Sequence, residues 1–228
     1  AVIEEIRDFW TKEDHFRRLG YLWKRGFLLF GPAGSGKTST VQIVCQEHVR
    51  EDGIVLYVNN PSWGSEALKL IRQIEPRRAL IVVVEEIDAV AAAFGESDLL
   101  AMLDGEHQVD NVVFIATTNY PERLDLRIVN RPSRFDIVKK IGMPGPEARK
   151  VYLTDICPRL AENSEELDLW VAQTDGFSFA HLKELLVATD VFERPFDASV
   201  ERLRMMMEVR HSSREYNENP IGFNAPKR

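Results

Sequence analysis

At 228 residues, the chain is long enough for one α/β core and a small second domain. Its hydrophobic content of 44% and charged content of 29% are those of an ordinary globular protein. Its 29 basic and 36 acidic residues give a net charge of −7, which excludes a global electrostatic attraction to nucleic acid or to an anionic membrane surface.

The chain begins with a segment in which apolar residues follow helical spacing. They are Val2, Ile3, Ile6, Phe9 and Trp10. This pattern predicts an amphipathic N-terminal helix, 1–19, that packs on the core of the protein and not on a membrane. The longest fully apolar stretch of the chain, 79–84, is too short to cross a bilayer, so we predict no membrane segment.

A phosphate-binding loop follows the first predicted strand. Residues 31–38 read GPAGSGKT, which satisfies the pattern G-x-x-x-x-G-K-[ST], and a helix-compatible segment comes next. Glycines let the backbone N–H groups of such a loop turn towards a triphosphate, whose charge the helix N-terminus favours. Lys37 is expected to reach the β- and γ-phosphates, and the Thr38 hydroxyl to bind Mg²⁺. The expected nucleotide contacts are Pro32, Ala33, Gly34, Ser35, Gly36, Lys37, Thr38 and Ser39.

The second predicted strand, 53–58, is followed by Trp63 and Gly64. An aromatic residue next to glycine at a loop tip could grip a translocating chain. The alternative, which we favour, is a turn with a half-buried Trp. The aromatic–apolar–Gly signature of threading unfoldases is absent, so the sequence does not establish threading.

Polar side chains follow the third and fourth predicted strands, where α/β proteins bind ligands. Glu85 is expected to orient the shell of Mg²⁺, although an Asp is usual at this position, and Glu86 to polarise the attacking water. Asn119 is expected to hydrogen-bond the γ-phosphate or the lytic water. The alternative is solvated acids at a strand end and an Asn in a turn.

Two arginines, Arg131 and Arg134, precede the last predicted strand. They lie too far along the sheet to serve their own subunit. A guanidinium stabilises charge on a transferring phosphoryl group, and a neighbouring protein can supply it. We expect both arginines to act on an adjacent subunit's nucleotide; the alternative is a pair of surface arginines in ordinary salt bridges.

Five apolar runs separated by helix-length segments predict a parallel sheet in residues 1–146. They are 26–30, 53–58, 80–84, 112–116 and 137–141. Residues 147–211 carry only helical patterns, so the predicted fold is an α/β domain followed by a small all-α domain, with a loose polar tail at 212–228. Met205, Met206 and Met207 are expected in the core of the helical domain, with an adaptable contact surface as the alternative.

Cys45 and Cys157 are far apart and, like the scattered histidines, form no pair with metal-binding spacing. We therefore expect no zinc site and no disulfide framework. This cysteine usage favours the cytoplasm or another reducing compartment.

The ordered motifs of the chain resemble those of AAA+ ATPases, and of the AAA clade in particular. The resemblance covers nearly the whole chain and rests on GPAGSGKT, VVVEEID, LLAMLDG, VVFIATTN, LD-x(5)-RPSRFD and TDGFSFAHL. It implies a P-loop NTPase fold with sheet order 5-1-4-3-2 and a helical lid. It also implies Mg²⁺-dependent ATP hydrolysis, and a homo-oligomeric ring, usually a hexamer, with ATP between subunits. By the same resemblance, Asn119 is the first sensor, and Arg131 and Arg134 are arginine fingers.

The chain departs from the AAA pattern at the start of one lid helix. Phe179 stands where relatives have a Gly near adenine, and Ala180 stands at the second-sensor position, so both are expected beside the nucleotide base. His181 replaces an acid and is expected to face solvent. Residues 24–31 and the short connection between the second and third strands resemble the branch that contains the mitochondrial Rieske-protein translocase.

The first functional hypothesis is an ATP-hydrolysing ring module that remodels or translocates a protein substrate, whose identity the sequence does not give. The alternative is a DNA-associated loader or initiator, which the net charge and the lack of a basic appended domain disfavour. A small-molecule kinase would need neither the arginine pair nor a sensor Asn.

Overall fold

The computed structural model describes residues 2–104, 109–129 and 134–208. The chain divides into two compact units between Pro144 and Gly145, close to the boundary expected after Pro146. Among the described residues, all strands lie in the first unit, and the second unit contains helices and turns.

A five-stranded sheet forms the centre of the first unit, and every neighbouring pair of strands in it is parallel. The strands are β1 (Lys24–Phe30), β2 (Ile54–Tyr57), β3 (Leu80–Val84), β4 (Val112–Thr118) and β5 (Ile137–Lys140). Their order is β2-β3-β4-β1-β5, which confirms the expected fold class and strand order. Since all strands are parallel, their carboxyl ends meet at one edge of the sheet, where ligands of α/β proteins bind.

Helices cover both faces of this sheet. Those of the first unit are α1 (Val2–Trp10), α2 (Glu13–Leu19), α3 (Lys37–Arg50), α4 (Pro61–Ile74), α5 (Ile87–Phe94), α6 (Glu96–Asp104) and α7 (Leu126–Val129), with a 3₁₀ turn at Pro121–Arg123. Successive strand residues point to opposite faces, so Val82 joins one core cluster while Ile81 and Val83 join the other. Both clusters are apolar, which explains why β3 is buried along its whole length.

Helix α1 packs on the core, as its pattern predicts. Val2, Ile6 and Phe9 are buried in the same cluster as Val41 and Val44 of α3. Helix α1 thus covers the helix that begins at the phosphate loop.

The segment after β2 differs from the turn that we expect there. Asn60 caps a helix, α4, by accepting hydrogen bonds from the backbone N–H groups of Ser62 and Trp63. Pro61 occupies the first helical position, where its missing N–H costs nothing. Trp63 is 76% exposed, so the expected half-buried Trp in a turn is wrong.

The second unit consists of helices around its own core. They are α8 (Pro146–Ile156), α9 (Pro158–Glu162), α10 (Ser164–Gln173), α11 (Phe179–Leu186) and α12 (Phe196–Glu208), with a π-helical turn at Val187–Val191. Phe177, Leu182 and Leu185 are fully buried at its centre. None of the helices that the structure describes, in either unit, is both long and apolar enough to span a bilayer.

Two expectations for this unit are wrong. Met205, Met206 and Met207 are 54%, 55% and 45% exposed, because Leu203 fills the core-facing position of α12 instead. His181 does not simply face solvent: its backbone N–H donates to Ser178 Oγ, and its Nδ1 lies 2.7 Å from that oxygen. Ser178 and His181 form a capping box at the start of α11, and burial lowers the pKa of the imidazole.

Candidate functional site

The phosphate loop joins β1 to α3, as its sequence predicts. Pro32 to Gly36 form the loop, and Lys37, Thr38 and Ser39 begin the helix. Gly36 adopts φ 101° at the N-cap of α3, a left-handed conformation that favours glycine. No side chain caps the start of α3, and the first N–H groups of a helix have no partners within it, so this helix start is suited to bind an anion.

Lys37 is buried beneath this loop and donates three hydrogen bonds. Its Nζ lies 2.9 Å from the carbonyl oxygens of both Gly31 and Pro32, and 2.6 Å from Asn119 Oδ1. Burial lowers the pKa of the ammonium group, and the charge of Glu86 opposes that shift. The phosphate loop and Asn119, 82 positions apart in sequence, are therefore in direct contact through Lys37.

At the carboxyl edge of the sheet, two buried oxygen atoms have no hydrogen-bond partner among the residues that the structure describes. One is Ser35 Oγ, whose residue is 2% exposed, and the other is Glu85 Oε1. Buried polar atoms are normally paired, so unpaired ones indicate groups that a ligand can satisfy. The exposed Thr38 hydroxyl and the Glu85 carboxylate are oxygen ligands of the kind that Mg²⁺ prefers. These residues fit a nucleoside triphosphate with Mg²⁺.

Glu86 occupies a special backbone position directly after Glu85. It is the N-cap of α5, with φ 48° and ψ 50° in the left-handed region, which is uncommon for a residue other than glycine. The residue itself is exposed. This geometry leaves its carboxylate accessible to water beside the phosphate loop, as a general base requires.

The end of β4 makes contacts that sequence reasoning missed. Thr117 Oγ1 accepts a hydrogen bond of 3.2 Å from the backbone N–H of Glu86. Thr118 Oγ1 donates to Asp88 Oδ1 at 2.6 Å and accepts from the backbone N–H of Tyr120. Two adjacent hydroxyl residues at the end of a buried strand are the signal that could have indicated these bonds, because buried hydroxyl groups require partners.

Arg134 is buried and paired within its own chain, and its expected action on a neighbouring subunit's nucleotide stays a prediction. It is 5% exposed, its Nε donates to Asp104 Oδ2 at 2.5 Å, and its Nη1 donates to the backbone carbonyl of Arg127. The physical reason is that a buried guanidinium needs partners, and its own subunit provides them. Arg131, the other expected finger, lies outside the described residues.

Close packing holds the segment around Arg134 against β1. A Cβ atom on Gly26 would lie 1.7 Å from the Arg134 carbonyl oxygen, so only glycine allows this approach. The backbone N–H of Gly26 also donates to Asp136 Oδ2 at 2.9 Å. Lys24 donates to the carbonyl of Leu103, and burial lowers the pKa of its ammonium group.

Phe179 and Ala180 belong to the second unit. Phe179 is partly buried against that unit's core, with its ring 5.1 Å from the ring of Tyr152, and Ala180 is exposed at the start of α11. Their expected place beside the nucleotide base stays a prediction.

The chain matches a known family model over the part that carries this site. Residues 27–143 match the model described as the ATPase family associated with various cellular activities (AAA). The match begins in β1 and includes the phosphate loop, both carboxylates after β3, and Asn119.

Three relatives with known names are similar over most of this chain. The ATP-dependent zinc metalloprotease FtsH of Marinobacter nauticus is 30% identical over 81% of the chain and 32% of its own length. A cell division cycle protein 48 homolog of Archaeoglobus fulgidus is 32% identical, with coverages of 75% and 25%. The proteasome-activating nucleotidase of Methanosarcina mazei is 31% identical, with coverages of 87% and 52%. The chain thus spans between a quarter and about half of the length of these relatives.

Proposed function

Since this chain belongs to the AAA family of ATPases, we propose that it works as one subunit of a homo-oligomeric ring that couples ATP turnover to the remodelling or translocation of a protein. Three named relatives support the direction of the proposal. One is an ATP-dependent protease, one activates a proteasome, and one is a homolog of a cell division cycle protein. We propose a hexamer as the ring.

The observation that carries the proposal is the contact of Lys37 Nζ with Asn119 Oδ1 at 2.6 Å. A phosphate that enters the loop must compete with Asn119 for the same ammonium group, because all three donors of Lys37 are in use. Asn119 can therefore respond to the presence or absence of the terminal phosphate. This is the property that a cyclic ATP-driven machine needs.

Each residue of the site has a role in this proposal. Lys37 and the backbone N–H groups of residues 32–36 bind the phosphates, and Ser35 Oγ is an additional donor to them. Glu86 accepts a proton from the attacking water. Thr38 and Glu85 hold Mg²⁺, which supplies charge neutralisation on the phosphate oxygens when it is bound.

We propose Arg131 as the arginine that acts on the nucleotide of the neighbouring subunit. Arg134 is buried and paired within its own subunit, so we assign it to the positioning of this segment. Arg131 is three residues away and carries the same chemistry.

The experiment that tests this function compares two variants of the chain in ATP binding and hydrolysis. Glu86→Gln is expected to bind ATP with an affinity close to that of the wild type while kcat falls about 100-fold or more, since general-base catalysis contributes about 10²–10⁴. Lys37→Ala is expected to weaken ATP binding itself. Calorimetric titration and phosphate release measure the two effects. Full ATPase activity in Glu86→Gln would overturn the assignment.

We make two finer proposals. The motif at residues 24–31 favours the branch that contains the Rieske-protein translocase. The two free cysteines, both buried, suit a reducing compartment such as the cytoplasm. The DNA-associated alternative predicts salt-sensitive DNA binding and stimulation of the ATPase by DNA, neither of which the charge of −7 favours.

A further inference from the structure

The carboxyl end of β4 touches all three catalytic segments of the first unit. The backbone N–H of Gly31, which opens the phosphate loop, donates to the Thr118 carbonyl oxygen at 3.3 Å. The next residue, Asn119, contacts Lys37, and the preceding one, Thr117, contacts the Glu86 backbone. Three consecutive residues thus fix the relative positions of the loop, its lysine and the general base.

Thr117 is the member of this set that bears on Glu86. Its side chain is 3% exposed, and its Oγ1 accepts the backbone N–H of Glu86 at 3.2 Å. Glu86 holds a left-handed backbone conformation that a non-glycine residue rarely adopts, and such a conformation persists only where surrounding contacts determine it. The Thr117 hydroxyl supplies one such contact from a buried strand.

Thr118 contacts the helical side of the turn between β3 and α5, in which Glu86 lies. Its hydroxyl donates to Asp88 Oδ1 at 2.6 Å, in the first turn of α5. The carbonyl of Glu86 accepts hydrogen bonds from the N–H groups of Ala89 and Val90, so the carbonyl side of Glu86 is held by the helix. The N–H side of Glu86 is held by Thr117.

We propose that Thr117 is a positioning residue for ATP hydrolysis, whose hydroxyl group holds the Glu86 backbone so that the carboxylate stays aimed at the attacking water. The inference rests on the proposed role of Glu86 as general base. It adds that the base depends on a side chain of the neighbouring strand that does not itself touch the nucleotide. A rigid support of this kind matters because a small misplacement of a catalytic group can lower a rate about 100-fold.

The test compares Thr117→Val, which keeps the shape and removes the hydroxyl, with Thr117→Ser, which keeps the hydroxyl. We expect Thr117→Val to lower kcat about tenfold or more, with the ATP dissociation constant changed less than about twofold, and Thr117→Ser to retain most of kcat. Thr117→Ala gives the same comparison if Thr117→Val does not fold. Unchanged kcat in the variant without the hydroxyl, or an equal loss in Thr117→Ser, would overturn the inference.

A control variant separates positioning from general stability. Thr174 is fully buried in the second unit, where its Oγ1 donates to the Trp170 carbonyl at 2.8 Å. Thr174→Val therefore removes an equally buried hydroxyl without touching Glu86. We expect any fall in its Tm to come without the fall in kcat; the same fall in kcat would mean that Thr117 acts only through stability.

A double-variant cycle distinguishes failure of this inference from failure of the proposed function. If Glu86→Gln keeps full activity, the role of Glu86 is wrong. If Glu86→Gln is inactive as expected, Thr117→Val should have little further effect on the residual rate, because both changes act on one step. An equal further loss in the Glu86→Gln background would show that Thr117 acts elsewhere.

Amide hydrogen exchange gives a readout that does not depend on ATP hydrolysis. The Glu86 N–H is expected to be protected in the wild type and in Thr117→Ser, and to exchange faster in Thr117→Val. Equal exchange rates in all three proteins would contradict the hydrogen bond on which the inference rests.

Discussion

The Arg134–Asp104 pair joins a guanidinium that is 6% exposed to a carboxylate that is 25% exposed. Removal of one partner from a buried ion pair leaves the other without its charge compensation, which costs more than the pair itself contributes. We therefore predict that Arg134→Ala lowers the free energy of unfolding by about 3 kcal/mol. Urea denaturation measures this loss.

Arg127 is the matched control for this prediction. Its guanidinium pairs with Asp125 and Glu96 at 3.0 Å each, but it is 67% exposed. Water screens such a pair, so Arg127→Ala should lower the free energy of unfolding much less than Arg134→Ala does. Equal losses in Arg127→Ala and Arg134→Ala would contradict a structural role of Arg134.

The contact of α1 with α3 centres on His48. This residue is 5% exposed, its ring stacks on that of Trp10 at 5.0 Å, and its Nε2 lies 3.1 Å from the Ala79 carbonyl oxygen. Burial lowers the pKa of the imidazole, opposed by the Ala79 hydrogen bond and by the charge of Glu51. The folded protein therefore favours the neutral ring.

This shift predicts a loss of stability in acid. A group whose pKa is lower in the folded state contributes stability above its unfolded pKa, about 6.5, and that contribution is lost as the pH falls from there towards the folded pKa. We predict that the wild type loses more unfolding free energy between pH 7.5 and pH 5.5 than His48→Gln does. Parallel urea titrations at the two pH values test it. Equal losses in both proteins would show that folding does not lower the pKa of His48.

The elements that carry a single strong sequence pattern, such as an apolar run or a fixed motif, could be predicted from the sequence. β3 is a run of five apolar residues that is buried on both faces, and the expected range of 80–84 is its observed range. The phosphate loop likewise has a fixed pattern with one mechanism, and Asn119 follows β4 as expected.

The wrong expectations come from residues whose environment the local sequence does not determine. Trp63 follows Ser62, whose hydroxyl donates a hydrogen bond to Asp98. Asn60 caps α4, so a helix begins where we expect a turn. Methionines 205–207 have no periodicity of their own that selects a buried face, so only tertiary packing decides their exposure. A contact that sequence reasoning missed is the pairing of Arg134 with Asp104, which joins residues 30 positions apart and which a linear pattern cannot reveal.

At the scale of the whole molecule, the first unit brings together Lys37 of the phosphate loop and the uncharged amide of Asn119, while Arg134 is buried and paired with Asp104 of the same chain. In phosphoryl transfer by GTPases, an arginine that a neighbouring protein can supply contributes about 10³–10⁵ in kcat. The proposed ring places Arg131 of one subunit at the nucleotide of the next. In that proposed ring, the site would be complete only between two chains.

Shared sites predict complementation between two inactive variants. Glu86→Gln subunits lack the base but carry Arg131, while Arg131→Ala subunits carry the base but lack the arginine. In a random 1:1 mixture, about a quarter of the interfaces pair an intact Glu86 with an intact Arg131, so ATPase activity should reach roughly a quarter of the wild-type value. Phosphate release from mixed and separate variants, after dissociation and reassembly, measures it.

The matched control mixes Glu86→Gln with Lys37→Ala. Both changes damage a subunit's own half of the site, since Lys37 binds the Gly31 and Pro32 carbonyls of its own loop. No interface of that mixture contains both an intact loop and an intact base, so no activity should return. Recovery in the Arg131→Ala mixture alone supports a site shared across the ring, whereas equal recovery in both mixtures would contradict it. No recovery in either mixture would place Arg131 outside its neighbour's reaction.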